Sequence, residues 1–297
     1  MNSYINCLRG HEKGVSDKPV RRNLEEISKR AIFVLGAGAS RDAGLPLYQD
    51  LLSRTYLEEL KERLQNMRLG LGYTSSRLDF IDGYFYPECE HFAAQGKDFE
   101  SLLTRLDKPK TSEEHERLLR FYQHLIAFAE DIAGFKEEHI YYLRLFAGWL
   151  LHLQLDSPYR VSVLSFNHDL LLERILGFTN KIFNYGLSTQ YLYNGIPGSM
   201  YENRNKKEGG LNFYKLHGST SWTICQNSHI MYYPEEAFLM GFPLEKTCPK
   251  CHTKTRLCIV PPQRIKNYRP LQVLWDAAAQ DLQEAAVVTF IGYSESV

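Results

Sequence analysis

The sequence predicts an α/β fold: a Rossmann-like open, mostly parallel sheet interrupted by a helical insert. Three observations carry that expectation. The apolar run Ala31–Leu35 stops abruptly at Gly36-Ala37-Gly38-Ala39-Ser40, as a buried parallel strand does when it turns into a helix. Apolar runs return at 160–165, 212–216, 256–260 and 285–291, the last preceded by a helical pattern over 270–284. Between them, residues 49–154 carry apolar side chains at i, i+3 and i+4, the spacing of helices that bury one face.

Taken in order, residues 1–27 read as a polar N-terminal arm. Gly10, Gly14 and Pro19 interrupt it, and Leu24 and Ile27 give its end helical spacing. The sheet domain then occupies 28–48 and 155–297. The insert, 49–154, holds helices over 50–64, 99–106, 113–130 and 137–153. Joints lie near 70–76, 87–96, 108–112 and 133–134. Its aromatics Tyr56, Phe121, Tyr122, Phe128, Tyr141, Tyr142 and Trp149 are expected in the core. A further strand is expected near 181–185, and residues 222–260 read as a small cysteine-bearing, zinc-ribbon-like insert.

Composition narrows the classes. The 297 residues hold 35 basic and 35 acidic side chains, with 44% hydrophobic and 24% charged. A net charge of zero argues against general affinity for nucleic acid or an anionic membrane surface. It also removes one barrier to self-association. No stretch approaches the roughly 18 consecutive apolar residues of a membrane span. The first thirty residues lack an apolar signal segment. Six cysteines are too few for a disulfide scaffold of this length. The expectation is a cytoplasmic enzyme.

Chemistry concentrates at the predicted strand ends. Glycines directly after a buried strand let backbone N–H groups approach a phosphate, with the next helix pointing its positive end at the anion. Position 41 is Arg, so the G-x-G-x-x-G dinucleotide fingerprint fails, and no G-K-[S/T] P-loop is present. The loop is either a phosphate cradle or a tight turn without a ligand. Three further tips follow apolar runs: Ser165-Phe-Asn167-His168-Asp169, Lys215-Leu-His217-Gly218-Ser-Thr-Ser-Trp222, and Phe290-Ile-Gly292-Tyr-Ser294. An open parallel sheet binds ligands at such carboxyl ends.

This ordered set, with Ala43-Gly44-Leu45-Pro46 after the glycine loop, resembles the sirtuin family. It looks most like the divergent bacterial branch, many of whose members are NAD+ hydrolases in anti-phage defence. The likeness covers about 30–48 and 155–295. It implies that Gly36, Ala37, Gly38 and Ser40 line the pyrophosphate and adjacent ribose of NAD+. Asn167 would lie against the nicotinamide ribose, and Asp169 would hold the nicotinamide carboxamide. His217 would be the catalytic histidine, with Gly292 and Ser294 near the adenine ribose. The residues suit that chemistry. Cleaving the nicotinamide–ribose bond builds positive charge on the sugar, and the leaving group needs no protonation. The site then needs a base and polar groups that hold the sugar. Imidazole is a base at neutral pH, and a carboxamide both donates to and accepts from hydroxyls. Two alternatives stay open: Asp169 as a cap for a helix over 170–176, and His168 as a core histidine satisfied by its neighbours.

Departures from the deacylating pattern shape the functional expectation. Leu47-Tyr48-Gln49 follow Pro46 where deacylating sirtuins carry an acid, an aromatic and an arginine. In place of two CxxC pairs the chain has Cys225, His229, Cys248 and Cys251. These four make a possible structural Zn2+ site; His252 and Cys258 are rival ligands, and reduced, unmetallated cysteines are the alternative. The chain stops at Val297, where such a domain normally continues with another helix and strand. The expected activity is hydrolysis of NAD+ to ADP-ribose and nicotinamide. Its control is expected through a homo-oligomer or a regulatory partner protein that senses infection. A NAD-dependent protein deacylase and a non-catalytic NAD+ or ADP-ribose sensor are the alternatives.

Overall fold

A computed structural model of the chain describes residues 29–41, 43–46, 50, 53, 55–59, 61–62, 83, 86–94, 99–109, 111–134, 137–156, 160–176, 183–186, 190–193, 200–203, 211–232, 247–261 and 268–293. The expected arm 1–27, the segment Leu47–Gln49 and Ser294 lie outside the described residues.

The first sheet begins with β1 (Arg30–Leu35), β2 (Arg160–Ser165) and β3 (Phe183–Asn184). Strand β6 (Leu211–Lys215) and strand β10 (Ala285–Ile291) complete it in the order β10-β1-β2-β6-β3. Every pair is parallel. The expected α/β class is therefore present, and each expected run at 160–165, 212–216 and 285–291 forms a strand. Strand β1 is buried along its whole length, because it lies between β2 and β10 and is covered on both faces. This is why its sequence reads as continuous rather than alternating apolar residues. At the other end of the order, β10 is an edge, and Val287, Val288 and Phe290 are exposed.

The helical segment between β1 and β2 contains α2 (Tyr86–Ala94), α3 (Phe99–Asp107), α4 (Ser112–Gly134) and α5 (Glu137–Asp156). Leu102, Leu106, Leu118, Phe121, Tyr122, Leu125 and Phe128 form its core. Tyr141, Tyr142 and Trp149 do not follow the expectation of burial: they are 56%, 68% and 47% exposed. Helix α5 turns Ala147 and Leu150 inward, which leaves those three on its outer side. Trp149 still packs edge-on against Phe33 of β1, with ring centroids 5.1 Å apart.

A second sheet is the main feature the sequence did not announce. It contains β4 (Gln190–Tyr193), β5 (Met200–Asn203), β7 (Gly218–Cys225), β8 (Ile230–Tyr232) and β9 (Thr255–Ile259), in the order β5-β4-β8-β7-β9. The run 256–260, expected in the parallel sheet, instead pairs antiparallel with β7. This second sheet sits between two cores. Trp222, Ile224, Ile230 and Cys258 join the core of the parallel sheet, whereas Leu257 and Ile259 join the helical core. Strand β7 is buried throughout despite its sequence Gly-Ser-Thr-Ser-Trp-Thr-Ile-Cys. Two-sided burial removes the polar–apolar alternation by which a half-exposed strand is recognised. After β9, the short 3-10 turn Arg269–Leu271 leads into α7 (Gln272–Gln283), which buries Leu274 and Ala278 against the parallel sheet.

Candidate active site

Four loops leave the carboxyl ends of β1, β2, β6 and β10. The hydrogen bonds of the first and last draw the glycine turn tight. Gly36 N–H donates to Ile291 O at 2.9 Å, and Gly38 N–H donates to Gly292 O at 2.9 Å. A Cβ on Gly36 would lie 2.8 Å from the Gly292 carbonyl oxygen, and one on Gly38 2.8 Å from Gly292 Cα. The missing side chains are thus needed for close backbone approach. Helix α1 (Gly38–Arg41) opens directly from this turn, with Ser40 buried.

The loop after β2 reaches into the same place. Asn167 donates from Nδ2 to Gly36 O at 2.9 Å and to Ser40 Oγ at 3.0 Å. Ser40 Oγ donates onward to Asp169 Oδ2 at 2.8 Å. Gly36, Ser40, Asn167 and Asp169 therefore form one hydrogen-bonded cluster from residues about 130 positions apart. Asp169 Oδ1 also accepts the Leu171 N–H at 3.2 Å. The capping alternative is met only in this modified form. Helix α6 (Leu171–Ile175) has Leu170 at its N-cap position, with no side-chain cap hydrogen bond.

His217 follows β6 and is 7% exposed. Its ring meets Phe166 edge-on at 5.0 Å between centroids and stacks with His168 at 5.9 Å. Phe166 and His168 flank Asn167 in sequence, so His217 packs against the Asn167 loop. Tyr268 stacks on His217 at 5.6 Å, and its hydroxyl lies 3.3 Å from His217 Nε2. His168 has the bonding of a satisfied core histidine, with Nδ1 2.9 Å from Tyr122 Oη and Nε2 3.0 Å from Val260 O.

Buried charge supports these loops from below. Lys215 Nζ donates to the Asp169 carbonyl and lies 2.8 Å from Glu173 Oε1, both side chains 1% exposed. Burial pushes the Glu173 carboxyl up, against the lowering effect of Lys215. Glu130 of α4 accepts the Leu170 N–H. Its carboxyl is raised well above the ordinary range, chiefly by burial, with the opposing charge of Arg174 only partly offsetting it. Lys215, Glu173, Glu130, Tyr122 and Tyr268 were not anticipated as site residues. For Lys215 a signal existed: it is a lone charge at the end of an apolar run on an otherwise buried strand, which implies a partner; Glu173 stands beside Arg174 and carried no such mark.

Cys225, His229, Cys248 and Cys251 come together about 20 residues apart in sequence, with their ligand atoms all within 4.8 Å. His229 Nδ1 lies 3.4 Å from both Cys225 Sγ and Cys248 Sγ, and Cys251 Sγ lies 3.6 Å from Cys225 Sγ. Zinc bonded at about 2.3 Å to sulfur and about 2.0–2.1 Å to nitrogen has tetrahedron edges of roughly 3.5–3.8 Å, so the group fits that ion. Two turns are bent to make it: Ser228 and His252 adopt positive φ, 60° and 56°. Cys258, a rival ligand, is buried at 3% exposure in the core of the parallel sheet.

Of the predicted residues, Gly36, Gly38, Ser40, Asn167, Asp169 and Gly292 share one bonded neighbourhood, with Ala37 inside the same turn. No helix among the described residues is long and apolar enough to cross a membrane. No protein-family model matches the chain, and no curated protein is similar enough to count as a relative. Solved structures do resemble it. A Sir2 homologue in complex with NAD is 15% identical, with a TM-score of 0.38, covering 91% of this chain and 71% of that one. A mutant Sir2 homologue in complex with ADP-ribose is 16% identical with a TM-score of 0.40, covering 91% and 73%. A structure addressing the mechanism and regulation of Sir2 enzymes is 15% identical with a TM-score of 0.38, covering 92% and 75%.

Proposed function

We propose that the chain binds NAD+ and hydrolyses its nicotinamide–ribose bond, giving ADP-ribose and nicotinamide. The observation that carries the reading is the bonded cluster Gly36–Asn167–Ser40–Asp169 at the strand ends, with His217 packed on the ring of Phe166 beside it. The Sir2 homologues whose structures resemble this chain were solved with NAD and ADP-ribose, which is in keeping with it.

In this reading the glycine turn and the start of α1 receive the pyrophosphate. Gly292 and Ser294 serve the adenine ribose. Asn167, its Nδ2 already committed to Gly36 and Ser40, presents its carbonyl oxygen to a hydroxyl of the nicotinamide ribose. Asp169 holds the carboxamide of nicotinamide. The bond from C1′ of the ribose to the ring nitrogen breaks, and its electron pair leaves with neutral nicotinamide. Water forms the new bond to C1′, and His217 takes the proton that the water gives up. Buried polar groups that are fixed before the charge develops stabilise the cationic sugar without reorganising.

Loss of NAD+ is toxic to a cell, so the activity requires control. The reading therefore includes a homo-oligomer or a partner protein that senses infection. It also includes a role in anti-phage defence by NAD+ depletion in the cytoplasm. Zn2+ in the Cys3His group would be structural, holding the ends of β7 and β9 together.

The deciding experiment incubates the purified chain with NAD+, alone and with the product of the neighbouring gene, and follows nicotinamide release. Release that disappears in Asn167→Ala and His217→Ala supports hydrolysis. Binding of NAD+ without release under every condition replaces it with the sensor reading. Release that requires an acetyl-lysine peptide replaces it with deacylation.

A further inference from the structure

Helix α4 grips both site-bearing loops with two consecutive side chains. Tyr122 is 0% and Gln123 1% exposed, on a helix whose neighbouring buried residues Leu118, Phe121 and Leu125 are apolar. A polar group in that position loses its water and must recover the loss through hydrogen bonds. Both residues do so at the candidate site rather than within the helical core.

Tyr122 meets Nδ1 of His168 at 2.9 Å, while Nε2 of the same ring faces the Val260 carbonyl at 3.0 Å. A carbonyl only accepts, so Nε2 carries the proton, and in the neutral ring Nδ1 accepts from the Tyr122 hydroxyl. The two contacts fix both the tautomer and the plane of the imidazole. That plane lies 27° from the plane of the His217 ring stacked on it. Val260 also donates its N–H to the His217 carbonyl at 2.8 Å, so one residue bonds to both histidines.

Gln123 donates from Nε2 to the carbonyl of Thr220, three residues after His217. Thr220 in turn gives its N–H and its hydroxyl to the His168 carbonyl, at 3.0 and 3.2 Å. Adjacent residues of one helix thus hold the side chain of His168 and the backbone partner of His168. The loop 167–169 and the segment 216–220, which opens β7, are joined through that helix.

We propose that Tyr122 and Gln123 are positioning residues that set the spacing of Asn167 and His217, with His168 as the intermediate. The helical layer then governs turnover without touching substrate. The proposal rests on the hydrolase reading for its kinetic consequence, but its structural content is separate. Tyr122→Phe removes one oxygen, and Gln123→Met keeps the side-chain length while removing the donor, so neither opens a cavity.

The test compares these two variants with the wild-type chain by nicotinamide release and by nitrogen-15 NMR of the histidine rings. A misplacement of about 1 Å near reacting groups costs up to about 100-fold in rate. The expected result is a fall in kcat of about 10- to 100-fold, with the KM for NAD+ changed less than about twofold, because the glycine turn is untouched. In the spectra, Tyr122→Phe is expected to shift the ring signals of His168 and also those of His217, which stacks on it. Wild-type kcat in both variants overturns the proposal, as does a rise in KM with kcat unchanged. If the wild-type chain releases no nicotinamide under any condition, the hydrolase reading fails, and the His217 signal still decides. A His217 ring unmoved by Tyr122→Phe overturns the positioning role.

Discussion

Gly292 rests so closely on the glycine turn that a Cβ added to it would lie 1.9 Å from the amide nitrogen of Ala39. Its φ of 69° is itself a conformation that side chains resist. The contact ties the end of the edge strand β10 to the start of α1, over which a pyrophosphate is expected. Gly292→Ala has both a steric and a conformational cost, and nothing flexible faces it. We expect a loss of about 3 kcal/mol or more, a fall in Tm of several degrees, and loss of NAD+ binding by calorimetry. A variant that binds NAD+ with wild-type affinity would remove β10 from the binding site.

Lys215 and Glu173 offer a double-mutant test. Each is 1% exposed, and Glu173 Oε2 has no partner among the described residues. Breaking a buried pair from one side leaves an uncompensated charge, at a cost of about 3–5 kcal/mol. Lys215→Met is therefore expected to lower Tm sharply. Adding Glu173→Leu removes the stranded carboxylate and is expected to recover much of the stability. Nicotinamide release is not expected to recover with it, since Lys215 also holds the Asp169 carbonyl. Thermal unfolding of the single and double variants, with release measured beside it, separates the two roles. Activity restored in the double variant would leave Lys215 no part in placing Asp169.

Much of this arrangement was legible in the chain, and the reason is local. A parallel strand presents the residues of its carboxyl end immediately after its apolar run, so Gly36, Asn167, His217 and Gly292 were marked by where those runs end. The same holds for Cys225, His229, Cys248 and Cys251, whose spacing makes two short turns. Contacts across layers leave no such mark. Tyr122 meets His168 from 46 positions away, and Gln123 meets Thr220 from 97 away. On a helix wheel Tyr122 looks like an ordinary member of the inward face, and Gln123 looks like a solvated side chain on the opposite one. Tyr268, against His217, stands at the end of no apolar run and matches no motif. Strand β7 was hidden by its own burial: Ser219, Ser221 and Thr223 are at most 2% exposed, so polarity there carried no sign of solvent.

Glu130 gives a pH dependence with a definite sign. Burial raises its carboxyl well above the ordinary range, so the folded chain prefers the protonated form. Its favourable contribution is complete below the unfolded carboxyl's pKa and is lost as pH rises through the higher folded one. At neutral pH the folded chain either holds this proton against solvent or buries a charge. Glu130→Gln keeps an oxygen for the Leu170 N–H and removes the ionisation. The variant is expected to have a higher Tm than wild type at pH 7–8, with the difference shrinking toward acid. Melting curves taken across that range test this. A variant less stable than wild type at every pH would mean that the carboxylate is ionised and paired in the fold.

The Cys3His group predicts both a composition and an order of reactivity. If Cys225, His229, Cys248 and Cys251 hold zinc, the purified chain contains about one zinc per molecule. Cys248→Ser then lowers that content, and Tm with it. Stripping the metal exposes a difference between the thiols. The Thr253 hydroxyl, followed by the Thr253 backbone and the neighbouring His229 and Cys225, pulls Cys251 down to about 5. Burial pushes Cys248 up. At pH 6–7 Cys251 is thiolate and Cys248 is thiol, and only a thiolate attacks an alkylating agent. Mass spectrometry after brief iodoacetamide treatment of chelated protein is expected to find Cys251 labelled first, Cys248 later, and both protected when zinc is restored. The order follows from Thr253, so Thr253→Val is expected to slow Cys251 toward the rate of an ordinary thiol. Equal labelling with and without zinc would show that the four side chains are simply neighbours.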